Sequence, residues 1–146
     1  MPPSHGYAAF DSQSPLAPYA FTRREPGPTE IVVEILYCGV CHSDLHMARN
    51  EWGQSVYPMV PGHEIVGRVI AAGSAVTKFK VGGIAAIGVI IDSCRLCSPC
   101  KRGEEHFCDQ GPTLTYAAPD RVDGSITMGG YANNYVVDER FAHTVP

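Results

Sequence analysis

Apolar positions in this chain fall into short, β-branched runs punctuated by glycine and proline, and the 3.6-residue stripes of long helices are missing. Residues 29–37, TEIVVEILY, lie between Pro26-Gly27-Pro28 and Cys38-Gly39 and predict the first firm strand. Residues 63–71, HEIVGRVIA, predict a second, with Gly67 marking a bulge or bend. A third is expected over 82–91 and a fourth, with roughly alternating apolar character, over 130–138. Upstream, Pro2, Pro3, Pro15, Pro18, Pro26 and Pro28 break residues 1–28 into turns, leaving room for a short opening strand at 7–10. Residues 42–50 lack glycine and proline, and Asp44, Leu45, Met47 and Ala48 suit one or two helical turns. Between the third and fourth strands, residues 92–127 read as a long irregular lobe. Such a lobe inside a compact domain is either functional or held by something other than a core. The pattern therefore predicts a mainly β fold with short helices.

Composition narrows the function. A chain of 146 residues, 45% hydrophobic and 18% charged, makes one ordinary domain with a single core. The net charge of −4 comes with no basic stripe to track a phosphate backbone, which argues against nucleic acid as a partner. The longest apolar stretch, residues 84–91, falls far short of the roughly 20 residues a membrane span needs and reads as a buried strand. Residues 1–6 show no basic region followed by an apolar run, so a secretory signal is not expected and a cytoplasmic setting is. The 15 glycines and 12 prolines imply many turns without low complexity.

Cysteines suggest what holds the lobe. Cys94, Cys97, Cys100 and Cys108 form C-x2-C-x2-C-x7-C on one excursion that also carries Ser98, Pro99 and Gly103. Tetrahedral zinc takes four thiolates at about 2.3 Å, and two-residue spacings let the backbone curl so that successive sulfurs face one ion. The spacing fits a closed structural site, with Lys101 and Arg102 near enough in sequence to moderate its negative charge. Two disulfides, a redox switch and an iron–sulfur cluster are the alternatives. The first loses weight because nothing marks the chain for export.

A second constellation lies where the first strand meets the short helix. The run YCGVCHSDLH, residues 37–46, concentrates soft ligands, a hydroxyl and a carboxylate, and PGHE, residues 61–64, adds an imidazole and a carboxylate at the next strand's start. Strand ends let a rigid scaffold aim side chains into a cleft. Cys41 and His63 are suitable zinc ligands, but a catalytic zinc needs three protein ligands and one open position, and only two are convincing by residue type. Cys38 reads as a small buried thiol, Trp52 as a candidate for the cleft wall, and Asp92 with Ser93 as shaping the entry to the lobe.

Four motifs in order, CGVCHSDLH, PGHEIVG, C-x2-C-x2-C-x7-C and GGY, resemble the N-terminal catalytic domain of zinc-dependent medium-chain alcohol dehydrogenases, most of all the cinnamyl alcohol dehydrogenase branch. The resemblance runs across essentially the whole chain, residues 1–146. It implies a GroES-like, partly open β-barrel carrying the zinc-binding lobe. It makes Cys41 and His63 ligands of a catalytic zinc, with Glu64 a nearby carboxylate able to approach or ligate it, and Cys94, Cys97, Cys100 and Cys108 the ligands of a structural zinc. Ser43 matches the hydroxyl that bonds the substrate oxygen. His46 matches the histidine beside the nicotinamide ribose that helps carry the proton outward, and Asp44 the acidic residue beside the zinc site. The implied activity interconverts primary alcohols and aldehydes, with bulky apolar or aromatic ones favoured, using NADP.

Three departures from that family stand out. The family's third catalytic zinc ligand is a cysteine beyond this region, and no cysteine follows Cys108. No G-x-G-x-x-G opens a helix after a strand, so the nucleotide-binding domain is not expected within these residues and becomes an implied partner. Residues 81–83 read VGG where the family has VGD, which removes a carboxylate and puts local order there in doubt. The expectation is a catalytic domain incomplete as a dehydrogenase alone; the alternatives are a non-enzymatic zinc-binding module or a domain with weak zinc-hydroxide hydrolysis.

Overall fold

The computed structural model describes residues 3–145; Pro2, one of the predicted breakers, lies outside them. Its centre is an antiparallel five-stranded sheet in the order β8-β3-β4-β5-β9. The strands are β3 (Glu30–Gly39), β4 (Glu64–Ala72), β5 (Ile84–Ile87), β8 (Asn134–Asp138) and β9 (Ala142–Thr144). Two-stranded ribbons flank it: β1 (Ser4–Ala8) with β2 (Ala17–Phe21), and β6 (Ile90–Asp92) with β7 (Thr113–Leu114). The helices are short, α1 (His42–Ala48) and α2 (Ser98–Lys101). Among the described residues no helix is long and apolar enough to cross a membrane.

Alternation on β3 sends Ile31 and Val33 into the core, where they meet Ile65 and Val69 of β4, Ala85 and Ile87 of β5, and Tyr135 and Val137 of β8. Each fully buried aliphatic of this kind contributes about 1.5–3 kcal/mol. The β3–β4 register slips between Val32 and Val33 and again between Ile35 and Tyr37, opposite Gly67. Gly67 is required there, because a Cβ would overlap the Glu34 carbonyl oxygen and the Val33 side chain. These irregularities curl the sheet into a half-barrel, as the bulge predicted at Gly67 implies.

Several elements differ from expectation for identifiable reasons. The opening strand starts at Ser4, not at residue 7, because the Ser4 hydroxyl is buried and donates to Asn134 Oδ1 at 2.8 Å. β2 forms within the proline-rich stretch because it pairs with β1 alone, where Pro18 sacrifices no second ladder. The single strand expected over 82–91 is two: β5 pairs with β4, and after Gly88 and Val89 the chain leaves that sheet so that β6 can pair with β7. The strand expected from residue 130 begins at Asn134, since residues 129–131 bond the segment before His63. The doubt over residues 81–83 is corrected as well. Gly82 N–H donates to the Val69 carbonyl and Val69 N–H to the Gly83 carbonyl, both at 2.8 Å, fastening the turn to β4.

Candidate functional site

The cysteine lobe leaves the sheet after β6 and turns through α2. Ligand atoms of Cys94, Cys97, Cys100 and Cys108 lie within 4.8 Å of one another. Cys97 and Cys100 sulfurs are 3.3 Å apart and those of Cys94 and Cys100 are 3.8 Å apart, while all the cysteines are free thiols. Four thiolates bound tetrahedrally at about 2.3 Å would sit about 3.8 Å apart, so the quartet fits one zinc ion. Backbone donors prepare it: Cys97 N–H points at Cys94 Sγ (3.3 Å) and Cys94 N–H at Cys108 Sγ (3.4 Å). N–H groups of Leu96 and Cys97 pull the Cys94 thiol down to about 6, toward the thiolate a metal needs.

Arg95, inside the motif, takes a left-handed conformation (φ 59°) that turns its guanidinium back to the sheet. It bonds Asp92 Oδ1 (2.8 Å) and Asp138 Oδ2 (2.9 Å) on β8. Arg102, after α2, bonds Glu104 (2.7 Å) and Ser98 (2.6 Å) on the exposed side. Asp92 accepts from Ser93 N–H at 2.7 Å, and the Ser93 hydroxyl lies 3.3 Å from Cys100 Sγ, so both line the approach to the quartet.

The second cluster forms where β3, α1 and β4 converge. Cys41 caps α1, His63 immediately precedes β4 and Glu64 opens it; their ligand atoms also lie within 4.8 Å of one another. Gly39 is the register partner of Glu64, and a Cβ there would overlap the Glu64 carboxylate. A thiolate, an imidazole and a carboxylate make three protein ligands of types zinc accepts, which leaves a fourth position open. Glu64 is thus the third side chain that the fold brings within reach of one ion, where residue types alone gave two.

Asp44 binds this corner together. Its Oδ2 accepts from Cys41 N–H and from the Tyr131 hydroxyl, each at 3.0 Å, and its Oδ1 accepts from Gly62 N–H at 2.9 Å. His63 Nδ1 lies 3.4 Å from the same Oδ1, outside hydrogen-bond geometry, and among the described residues it is the buried side-chain nitrogen without a partner. The Ser43 hydroxyl donates to Cys41 Sγ at 3.2 Å. His46 Nδ1 forms a short hydrogen bond to Glu51, and the His46 ring lies between His42 (4.8 Å between centroids) and Trp52 (5.0 Å).

A cavity of about 90 Å³ meets this cluster at His63 and is lined also by Ser43, Met47, Trp52, Leu114 and Tyr116 among others. Tyr116 stacks on His63 at 5.9 Å. Burial first, then the Asp44 carboxylate, hold the Tyr116 phenol above its ordinary range, so it stays neutral and can donate. Trp52 does border the cavity, though it is 53% exposed. Cys38 is half-buried rather than fully enclosed, and burial pushes its thiol up, which keeps it protonated. Sequence reasoning gave no role to Glu51, to Tyr116 or to Tyr131, the last noted only as part of the GGY motif. Tyr116 and Tyr131 reach the site from more than 50 residues away, so spacing carries no trace of them.

Residues 27–146 match the family model described as alcohol dehydrogenase GroES-like domain. The chain is 48% identical over 141 residues to a probable cinnamyl alcohol dehydrogenase of Arabidopsis thaliana, covering 97% of this chain and 38% of that protein. It is 50% identical over 133 residues to an aldehyde reductase of Escherichia coli (strain K12), covering 91% of this chain and 38% of that protein. Among solved structures it superposes on the CAD of Helicobacter pylori complexed with NADP(H) with a TM-score of 0.94 at 42% identity, covering 98% of this chain and 41% of that one. The chain thus spans well under half the length of these relatives.

Proposed function

The chain belongs to the alcohol dehydrogenase GroES-like domain family, and from that premise we propose that it is the catalytic portion of a zinc-dependent, NADP-linked alcohol dehydrogenase. The reaction interconverts primary alcohols and aldehydes, bulky apolar or aromatic ones being favoured. The observation that carries this reading is the convergence of Cys41, His63 and Glu64, with His63 in the wall of a mostly apolar cavity. Relatives named as a cinnamyl alcohol dehydrogenase and an aldehyde reductase, and a neighbour that binds NADP(H), support the substrate class and the cofactor.

Cys41, His63 and Glu64 would hold the catalytic zinc, and Cys94, Cys97, Cys100 and Cys108 the structural one. When bound, the catalytic zinc supplies a Lewis acid for a carbonyl or alcohol oxygen. The residues around it divide the remaining work. Ser43 lines the cavity beside Cys41 and holds the proton of a substrate hydroxyl; His46, three residues on and therefore on the same face of α1, takes it outward. His46 suits that role because Glu51 fixes its Nδ1 and its side chain is 34% exposed, which connects it to water. Trp52, Met47, Leu114 and Tyr116 exclude solvent and give a flat apolar ring a surface to pack on.

In the full-length protein that carries this chain, NADPH oxidation in the presence of an aromatic aldehyde is the test. Turnover is expected, with Cys41→Ser lowering it at least 100-fold while the protein stays folded. Absence of turnover with every primary aldehyde and alcohol tried, in zinc-replete protein, would overturn the reading.

A further inference from the structure

We propose that Tyr131 is a positioning residue for the Cys41–His63–Glu64 metal site, acting through Asp44. The inference rests on the reading of that cluster as a metal site. It assigns a task to the GGY motif, which the reaction itself leaves without one.

The geometry starts from the backbone. Residues 129–131 run beside residues 60–62, with Gly129 N–H donating to the Val60 carbonyl (2.7 Å), Gly130 N–H to Gly62 (2.8 Å) and Tyr131 N–H to Pro61 (2.9 Å). The glycines are needed for this approach. A Cβ at Gly129 would overlap the Pro61 carbonyl oxygen, and one at Gly62 would come within 2.7 Å of the Tyr131 ring. The segment that delivers His63 is therefore clamped to the segment that delivers the Tyr131 hydroxyl.

That hydroxyl meets Asp44, whose side chain is 4% exposed. A buried carboxylate needs donors on both oxygens to keep one orientation. Oδ1 has Gly62 N–H and faces His63 Nδ1, whereas Oδ2 has Cys41 N–H and the Tyr131 hydroxyl. Without the phenol, Oδ2 loses the Tyr131 O–H donor and the carboxylate is held mainly by the Cys41 and Gly62 N–H groups, a weaker clamp on the angle at which Oδ1 faces His63. His63 Nδ1 has no hydrogen-bond partner and faces that oxygen at 3.4 Å, so Asp44 is the acceptor placed to take its proton when the other ring nitrogen turns to a metal. Partners one step behind the ligands typically tune metal affinity by about 10–100-fold.

The test measures cobalt(II) affinity by chelator competition in the full-length protein, reading the thiolate-to-cobalt absorption that Cys41→Ser abolishes. Tyr131→Phe, which keeps the ring, is expected to weaken cobalt binding at this site by about ten-fold or more. The melting temperature and the metal content of the four-cysteine site should stay unchanged. The Nδ1 proton of His63, seen by 15N NMR in the metal-loaded wild type, should broaden or vanish in the variant. Combined with Asp44→Asn, Tyr131→Phe should add no further loss. Affinity within two-fold of wild type, or losses that add fully in the double variant, would overturn the proposal and leave the metal site standing. Absence of any Cys41-dependent band in the wild type would instead remove the site and the proposal together. Should the phenylalanine variant fold poorly, fluorotyrosine at position 131 alters the hydroxyl's donor strength with the packing kept. It must shift the cobalt spectrum, and an unmoved spectrum counts against the role.

Discussion

Gly62 shows how tightly single residues constrain this site. It sits at φ +100°, where a side chain costs about 1–3 kcal/mol in strain, and any Cβ would also press on the Tyr131 ring at 2.7 Å. Gly62→Ala is therefore expected to lose about 2 kcal/mol or more and lower the Tm by about 5 °C or more, as calorimetry would read. An unchanged Tm would mean that the 60–62 and 129–131 segments are not clamped. At this scale the sequence was readable wherever chemistry shows in residue type. Cys41, His63 and the four lobe cysteines stand out because few other roles need soft ligands at such spacing. Tyr131 and Tyr116 did not, since an aromatic residue has the same appearance in a core as beside a carboxylate. Arg95 was missed because its work depends on a left-handed backbone that no residue type announces.

Among the elements, those defined by their own composition were readable and those defined by a partner were not. β3 and β4 are β-branched runs long enough to declare themselves, and α1 starts where Cys41 and Asp44 place it. β2 and β9 exist only because β1 and β5 offer edges to pair with, and 82–91 divides because β7 captures β6. The lobe's attachment to the sheet is likewise a matter of partners. Asp138 on β8 is buried, which opposes its charge, yet bonds from Arg140 N–H, the Thr29 hydroxyl and Arg95 hold its carboxyl below the ordinary 3.8. Because its folded value is depressed, it contributes stability that is fully present above about pH 4 and is lost as pH falls through the folded value. Asp138→Asn should destabilise the protein at pH 7 and flatten the fall in stability below pH 4, measured by urea unfolding across pH. Parallel acid profiles for wild type and variant would remove Asp138 from the latch.

For the whole molecule, the curled sheet brings Cys41, His63 and Glu64 together where β3, α1 and β4 meet, beside a cavity that His63 lines, and the four-cysteine lobe leaves the sheet after β6, with Arg95 and Asp138 bridging lobe and sheet. Fold class was legible from the short β-rich runs, because strands buried along one face, as in β4, or throughout, as in β8, need β-branched and apolar residues in short stretches. The cavity wall was legible only at Trp52, since Leu114 on β7 and Tyr116 just after it come to the site from beyond Cys108. Zinc content measured by elemental analysis on unchelated protein, wild type beside Cys94→Ser and Cys41→Ser, tests the central claim most directly. Two zinc ions per chain are expected, with each substitution removing one and Cys94→Ser also exposing residues 92–127 to protease. Folded wild-type protein without zinc would contradict the account.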